Sequence, residues 1–281
     1  MLLSVVVLTH EWPQALELAL RSLARQHCPW PWEVIVTDDG SGPETLATVQ
    51  RVAEHFPVPL RYVWQPHEGF RAARARNRGI AAAAGDYVVL LDGDMVPQSA
   101  FLQDHVAFAK PQAFLQGGRV LLNQARTHHL IAAGRLDIGP WSLGLDRRSK
   151  ALRMPLLARW KARPRHDLTT IMSCNQSYWR KDLLAVNGFD EAMVGWGYED
   201  TELAARCLHY GLTRYSLKFC AIAAHLHHAS RGNLGSENPG KARFEATLAN
   251  KVVRCERGID GHLATFAQRL DDLRPTHRQG A

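Results

Sequence analysis

An α/β fold with a mostly parallel central sheet and helices on both faces is what the first hundred residues predict. Three observations carry it. Short apolar, β-branched runs alternate with helical patterns. Polar and acidic residues gather directly after each run. No apolar stretch approaches the ~18 residues needed to cross a bilayer.

Leu3 to Leu8 reads as a first strand, and Pro13 suits the first turn of a helix whose Leu16, Leu20 and Leu23 recur at helical spacing. Glu33 to Thr37 is a second, β-branched strand. Pro43 to Phe56 is helical, and Leu60 to Trp64 is a third strand. Ala72 to Ala84 is an alanine-rich helix closed by Gly85 as its C-terminal cap. Tyr87 to Leu91 is a fourth strand. After it, Ala113 to Leu122 is a strand broken at Gly117-Gly118, Thr169 to Trp179 a strand, and Lys181 to Val186 a short helix. Asp200 to His209 is helical and Tyr215 to Ala224 a last strand. A polar tail succeeds Ser230, its last residues expected to be mobile.

The residues at the strand ends point to function. Thr9, His10 and Glu11 come after the first strand, Asp38 and Asp39 after the second, His67 and Glu68 after the third, Asp92 and Asp94 after the fourth. Open α/β sheets bind ligands outside the carboxyl ends of their strands. Asp92-Gly93-Asp94 puts carboxylate oxygens there, suited to a hard divalent cation. Neither G-x-G-x-x-G after the first strand nor G-x-x-x-x-G-K-[ST] occurs, which argues against a dinucleotide or phosphate-loop fold.

The 281 residues are 46% hydrophobic and 22% charged, ordinary globular composition. The run from Leu2 to Leu8 is too short for a signal-peptide core and lacks a basic start and cleavage site. A cytoplasmic place is therefore expected. The five cysteines form no Cys-X-X-Cys pair and read as reduced thiols. The formal charge is +7, with basic residues concentrated between Arg135 and Arg165 and interleaved with Trp141, Leu152, Leu156, Leu157 and Trp160. That segment reads either as a solvated insertion or as a peripheral dock on an anionic membrane surface or anionic acceptor. No nucleic-acid recognition motif accompanies the charge, so none is expected as partner.

Four segments in order resemble family 2 glycosyltransferases with a GT-A fold. They are Val34 to Ser41, Ala75-Arg76-Asn77-Arg78-Gly79-Ile80, Leu91-Asp92-Gly93-Asp94, and Asn187-Gly188-Phe189-Asp190-Glu191 leading to Gly195-Trp196-Gly197-Tyr198-Glu199-Asp200. The last is similar to the C-terminal part of β-1,4-galactosyltransferases and bacterial chondroitin-type polymerases. The resemblance covers roughly residues 2–230, as one catalytic domain. It has a nucleotide-sugar half (1–110), an acceptor half (111–230) with the basic insertion at about 123–168, and an extension (231–281).

The resemblance implies an inverting, metal-dependent transferase that moves a hexose or N-acetylhexosamine from a UDP-sugar to a saccharide or lipid-linked acceptor. Asp38 or Asp39 would hold the uracil or ribose, although Asp-Gly-Ser is also good turn chemistry. Thr9 and His10 would floor the nucleotide pocket, with Arg71 or Arg76 beside Asn77 touching the nucleotide. Asp94 would bind Mn²⁺ or Mg²⁺ directly, with Asp92 and Gly93 nearer the ribose. A histidine would complete the site, His227 first and His225 second, since alternation along an extended segment points both one way. Asp200 would take the acceptor's proton and Glu199 would hold sugar hydroxyls. A helix N-terminus lowers a carboxylate's pKa, while enclosure raises it. Trp196, between two glycines, would carry a sugar ring, and Asn175 would line the donor pocket. Two other readings use the same residues: a haloacid-dehalogenase-like phosphatase with Asp92 as nucleophile, and a non-catalytic saccharide- or membrane-binding protein.

Overall fold

The computed structural model describes residues 1–134, 136, 138–229 and 238–271. Arg135, Ser230 and residues 272–281, where the mobile end was expected, lie outside the described residues. The first half runs β1 (Leu3–Thr9), α1 (Pro13–Leu23), β2 (Trp32–Asp38), α2 (Pro43–Ala53), β3 (Leu60–Trp64), α3 (Ala72–Ala82), β4 (Tyr87–Asp92), β5 (Met95–Pro97) and α4 (Phe101–Phe108). Then come β6 (Ala113–Gln116), β7 (Gly118–Leu121), α5 (Gln124–Ala133), a 3₁₀ turn (Arg148–Ala151), α6 (Pro155–Lys161) and β8 (Pro164–Arg165). The chain continues through β9 (Asn175–Trp179), α7 (Arg180–Ala185), α8 (Glu199–His209), β10 (Thr213–Ser216), β11 (Ile222–His225), α9 (Pro239–Ala249) and α10 (Asp260–Asp271).

The large sheet has the order β3-β2-β1-β4-β9-β6-β10-β8. Its β3-β2-β1-β4 half is parallel, and β9 is antiparallel to both β4 and β6. A small sheet, β5-β11-β7, lies beside it. Alternation along β1 divides the core: Val5 and Val7 pack with Leu16 and Leu20 on one face, Val6 with Ile80 and Leu90 on the other. After β3 the chain crosses back to place β4 on the far side of β1. The strand order therefore reverses between β1 and β4, where a crevice opens outside the carboxyl ends.

Three expectations are corrected here. Gly85 does not cap α3, whose C-terminal flank Ala83 is extended. A Cβ at Gly85 would lie 2.6 Å from Ser4 Oγ and 2.8 Å from the Leu2 carbonyl, so close approach to β1 is what requires glycine. The single strand expected from Tyr215 to Ala224 is two, in different sheets, because Phe219 and Ala221 turn the chain at φ of 65° and 48°. The expected strand from Thr169 begins only at Asn175.

The tail is not simply polar, since its Ile259 and Phe266 are buried in the core, and it also makes polar contacts with the body. His262 on α10 contacts Glu191 at 2.7 Å, and Thr247 on α9 donates to Glu202 at 2.9 Å. Glu202 also forms a fully buried pair with Arg206, at 2.6 Å, with Arg206 donating to the Val186 carbonyl. Cutting one member of such a pair strands the other. Glu202→Ala is expected to destabilise the fold by about 3–5 kcal/mol in urea unfolding.

Candidate active site

The crevice at the strand reversal is a cleft of about 860 Å³. Its floor comes from strand ends. Thr9 and His10 lie at the end of β1, and Asp92, Gly93 and Asp94 at the end of β4. The Gly93 N–H donates to the Leu8 carbonyl at 2.6 Å, tying these two ends together.

The two aspartates at the end of β2 separate in role. Asp39 lines the cleft; its carboxylate accepts from Gln65 at 2.7 Å and from the Arg71 N–H at 2.8 Å. Asp38 is buried away from it, accepting from the Ser41 N–H and the Tyr62 hydroxyl. Asp38 thus secures the turn. His10 stacks on His67 with ring centroids 5.0 Å apart, and His10 Nδ1 lies 3.1 Å from the Asp39 carbonyl oxygen.

Among the α3 candidates, Arg76 reaches the cleft. It is buried, donates to Asp92 at 2.9 Å and lies 3.6 Å from Glu199. Burial alone would lower its pKa; the charges of Asp92 and Glu199 outweigh that and raise it. Arg71 instead donates through Nε to the Glu68 carbonyl and is absent from the cleft wall. Asn77 faces the protein: its amide donates to the Phe189 carbonyl and to Glu191, and its oxygen accepts from the Phe189 N–H. It clamps the Phe189–Glu191 segment onto α3 rather than touching the cleft. Asn175 is also buried and structural, donating to the Gly118 and Ala221 carbonyls, with its oxygen 3.0 Å from His105 Nε2. It joins the two sheets.

Asp94 meets two histidines. Its Oδ2 is 3.2 Å from His225 Nε2 and 3.4 Å from His228 Nε2. Its Oδ1 is buried without a hydrogen-bond partner. One carboxylate and two imidazoles, with an orphaned buried oxygen, form a donor set for a divalent metal. His227, the first choice from sequence, stands outside this cluster, exposed, its N–H bonded to Thr127 Oγ1. Strand geometry ends at His225, so the alternation that paired 225 with 227 does not continue. Leu226 turns into the core, and His228 comes back to Asp94. Asp92 is likewise outside the cluster, held by Arg76.

The segment 196–201 also lines the cleft. Gly195 and Gly197 have φ of 93° and 106°, and Tyr198, just before α8, has φ of 71°. A non-glycine residue in this region is uncommon and needs support. It comes from α9: Phe244 stacks on Tyr198 at 5.6 Å, and Asn238 donates to the Trp196 carbonyl. Sequence reasoning missed both; only the aromatic at Phe244 could have hinted at them. Phe244→Ala is expected to cost about 1–2 kcal/mol of stability. It should also lower kcat severalfold with little change in KM, as steady-state kinetics would show.

This loop puts Trp196 half-exposed on the cleft and starts α8 with Glu199 and Asp200. Glu199 accepts from the Gly197 N–H at 3.0 Å; Asp200 accepts from the N–H groups of Thr201 at 2.7 Å and Ser173 at 3.2 Å. The contest between helix terminus and enclosure is won by enclosure. Burial, and then the Asp200 charge, raise the Glu199 pKa; burial raises that of Asp200 against the pull of Arg76 and these hydrogen bonds. A carboxylate so placed can accept a proton from a bound hydroxyl.

Comparison with known proteins identifies the family. The family model "Glycosyl transferase family 2" matches residues 4–174, and "N-terminal domain of galactosyltransferase" matches residues 154–229. The chain is 31% identical to a hyaluronan synthase of Pasteurella multocida over 231 residues, 74% of this chain and 23% of that protein. It is 27% identical to a validoxylamine A glucosyltransferase of Streptomyces hygroscopicus subsp. limoneus over 93% of this chain and 57% of the other. It is 25% identical to a chondroitin synthase of Escherichia coli over 89% and 38%. The chain thus spans between 23% and 57% of the length of these relatives.

The crystal structure of S. aureus TarS 1-349 in complex with UDP superposes with a TM-score of 0.62 at 19% identity, covering 99% of this chain and 74% of that one. The mannosyltransferase PcManGT from Pyrobaculum calidifontis, in complex with GDP-Man and Mn2+, superposes at 0.55 and 19%, covering 96% and 74%. These likenesses show the shared GT-A fold. With the first family model spanning more than half of the sequence, the chain belongs to glycosyl transferase family 2 and is a glycosyltransferase.

Proposed function

We propose that the cleft transfers a hexose or N-acetylhexosamine from a UDP-sugar to a hydroxyl of a saccharide or lipid-linked saccharide, in one inverting, metal-dependent displacement. One observation carries this reading. A metal donor set and a proton acceptor of raised pKa line the same cleft.

Asp94, His225 and His228 would hold the cation, and oxygen with imidazole donors suits Mn²⁺. A divalent ion there supplies Lewis-acid neutralisation of the diphosphate leaving group. Asp39, Thr9 and His10 hold the nucleoside at the ends of β1 and β2. Trp196 carries a sugar ring, and Glu199, fixed by Arg76, orients sugar hydroxyls. Asp200 takes the acceptor proton as that oxygen attacks the anomeric carbon opposite UDP. The bond to UDP breaks in the same step, so an α-linked donor gives a β-linked product.

Uridine is supported by the TarS complex with UDP, and a saccharide acceptor by the hyaluronan and chondroitin synthases. Nucleotide release from a panel of UDP-sugars and GDP-mannose, with Mn²⁺ and with EDTA, tests the proposal. Manganese-dependent release of UDP from one donor is expected. Release from GDP-mannose alone would move the site to guanosine donors, and EDTA-insensitive release would remove the metal.

A further inference from the structure

We infer that the segment from Trp141 to Arg165 docks the enzyme on an anionic lipid membrane. Charge is the first reason. Residues 141–165 hold eight Lys and Arg against one acid, Asp146, an excess of seven. The whole chain's formal charge is +7, so this segment accounts for all of it and the rest is balanced. Three of the eight are paired: Lys150 with Asp146, Arg153 with Asp104 and Arg165 with Asp167. Among the described residues Arg147, Arg148, Arg159 and Arg163 make no ion pair, and all four are exposed.

Exposed apolar surface is the second reason. Trp141, Leu143, Leu156 and Trp160 are 86%, 71%, 81% and 63% exposed. Apart from Met1, no other large hydrophobic among the described residues is more than half exposed. Folding alone gives no reason to gather four such side chains in twenty residues.

The mount is firm. Ala151 and Ala158 are buried, the Met154 N–H donates to the Phe219 carbonyl at 2.9 Å, and Arg153 grips the buried Asp104 through three hydrogen bonds. With Ala158 facing inward, α6 presents Leu156 and Trp160, four residues apart, toward solvent. Lys161 lies over the Trp160 ring at 4.8 Å. A polyanion in solution would use the arginines and leave Leu143 and Leu156 in water. A bilayer interface uses both, taking the leucines among acyl chains, the indoles at headgroup level and the cations on anionic lipid.

Sedimentation of the full chain with vesicles tests this, using phosphatidylcholine alone and phosphatidylcholine mixed with phosphatidylglycerol. Binding is expected only to the anionic vesicles and should weaken with salt. Leu156→Ser with Trp160→Ser should lower it about tenfold or more. Arg147→Glu with Arg148→Glu should lower it by at least about fivefold per arginine. Both double variants should keep a wild-type circular dichroism spectrum and wild-type UDP release, since none of the four residues lines the cleft. Docking needs no catalysis, so its failure is separable from failure of the transfer reading. The inference is overturned by an absence of anionic-vesicle binding, by equal binding to neutral vesicles, or by variants that bind like wild type. Binding of single-stranded DNA or heparin as tight as that of vesicles, lost equally in both variants, would also overturn it.

Discussion

Asp200→Asn is expected to reduce kcat by roughly 10²–10⁴-fold, the usual contribution of a general base, and to leave donor binding nearly unchanged. The same variant should be more stable than the wild type at neutral pH. In the unfolded chain this carboxyl ionises near the ordinary value of about 3.9. Burial raises it in the fold, so the native state favours the neutral form. Stability from the neutral carboxyl is fully present below about pH 3.9 and is lost as pH rises through the folded value. Ionised Asp200 therefore costs stability at neutral pH, and the uncharged amide removes that cost. A higher Tm at neutral pH, converging on the wild type in acid, is the expected thermal-melt result.

The pH–rate profile has the same cause. The base must be ionised to act, so activity should fall as pH drops, with a midpoint above the ordinary carboxylate range. Glu199 is shifted in the same direction and touches the same charges, so that limb belongs to the pair. Glu199→Gln should move it downward by removing a neighbouring negative charge.

Asp94→Ala is expected to abolish manganese-dependent release, with a loss of at least about 100-fold, since even outer-shell changes at metal sites cost 10–100-fold. His225→Ala and His228→Ala should each weaken metal affinity at least about tenfold. His227→Ala should leave it unchanged, because that ring is exposed outside the cluster. An electron paramagnetic resonance titration with Mn²⁺ reads these affinities without turnover. Equal loss in His227→Ala and none in His228→Ala would assign the ligand the other way.

Much of the cleft was legible because strand ends are legible. Thr9, Asp39, Asp92 and Asp94 close apolar runs, and a parallel sheet gathers such ends at one edge. What misled was resemblance applied to short polar residues that the fold uses for itself. Asp38, Asn77 and Asn175 sit beside cleft residues in sequence, yet each turns inward to satisfy buried backbone or hydroxyl groups. Nothing in a one-residue spacing tells Asp38 from Asp39; the partners that separate them, Tyr62 for Asp38 and Arg71 for Asp39, lie 24 and 32 residues away. His228 was missed because alternation holds only while the strand continues. The support of Tyr198 by α9 joins residues 46 apart, a contact no local pattern announces.

Asp94 and Asp200 are proposed to do separate jobs in the cleft. Calorimetric titration of UDP into wild type, Asp94→Ala and Asp200→Asn, with Mn²⁺ and with EDTA, tests this division most directly when paired with turnover of the preferred donor. Manganese-dependent UDP binding is expected in wild type and Asp200→Asn, its loss in Asp94→Ala, and turnover in wild type alone. Turnover surviving in Asp200→Asn, or manganese-dependent binding surviving in Asp94→Ala, would contradict the division.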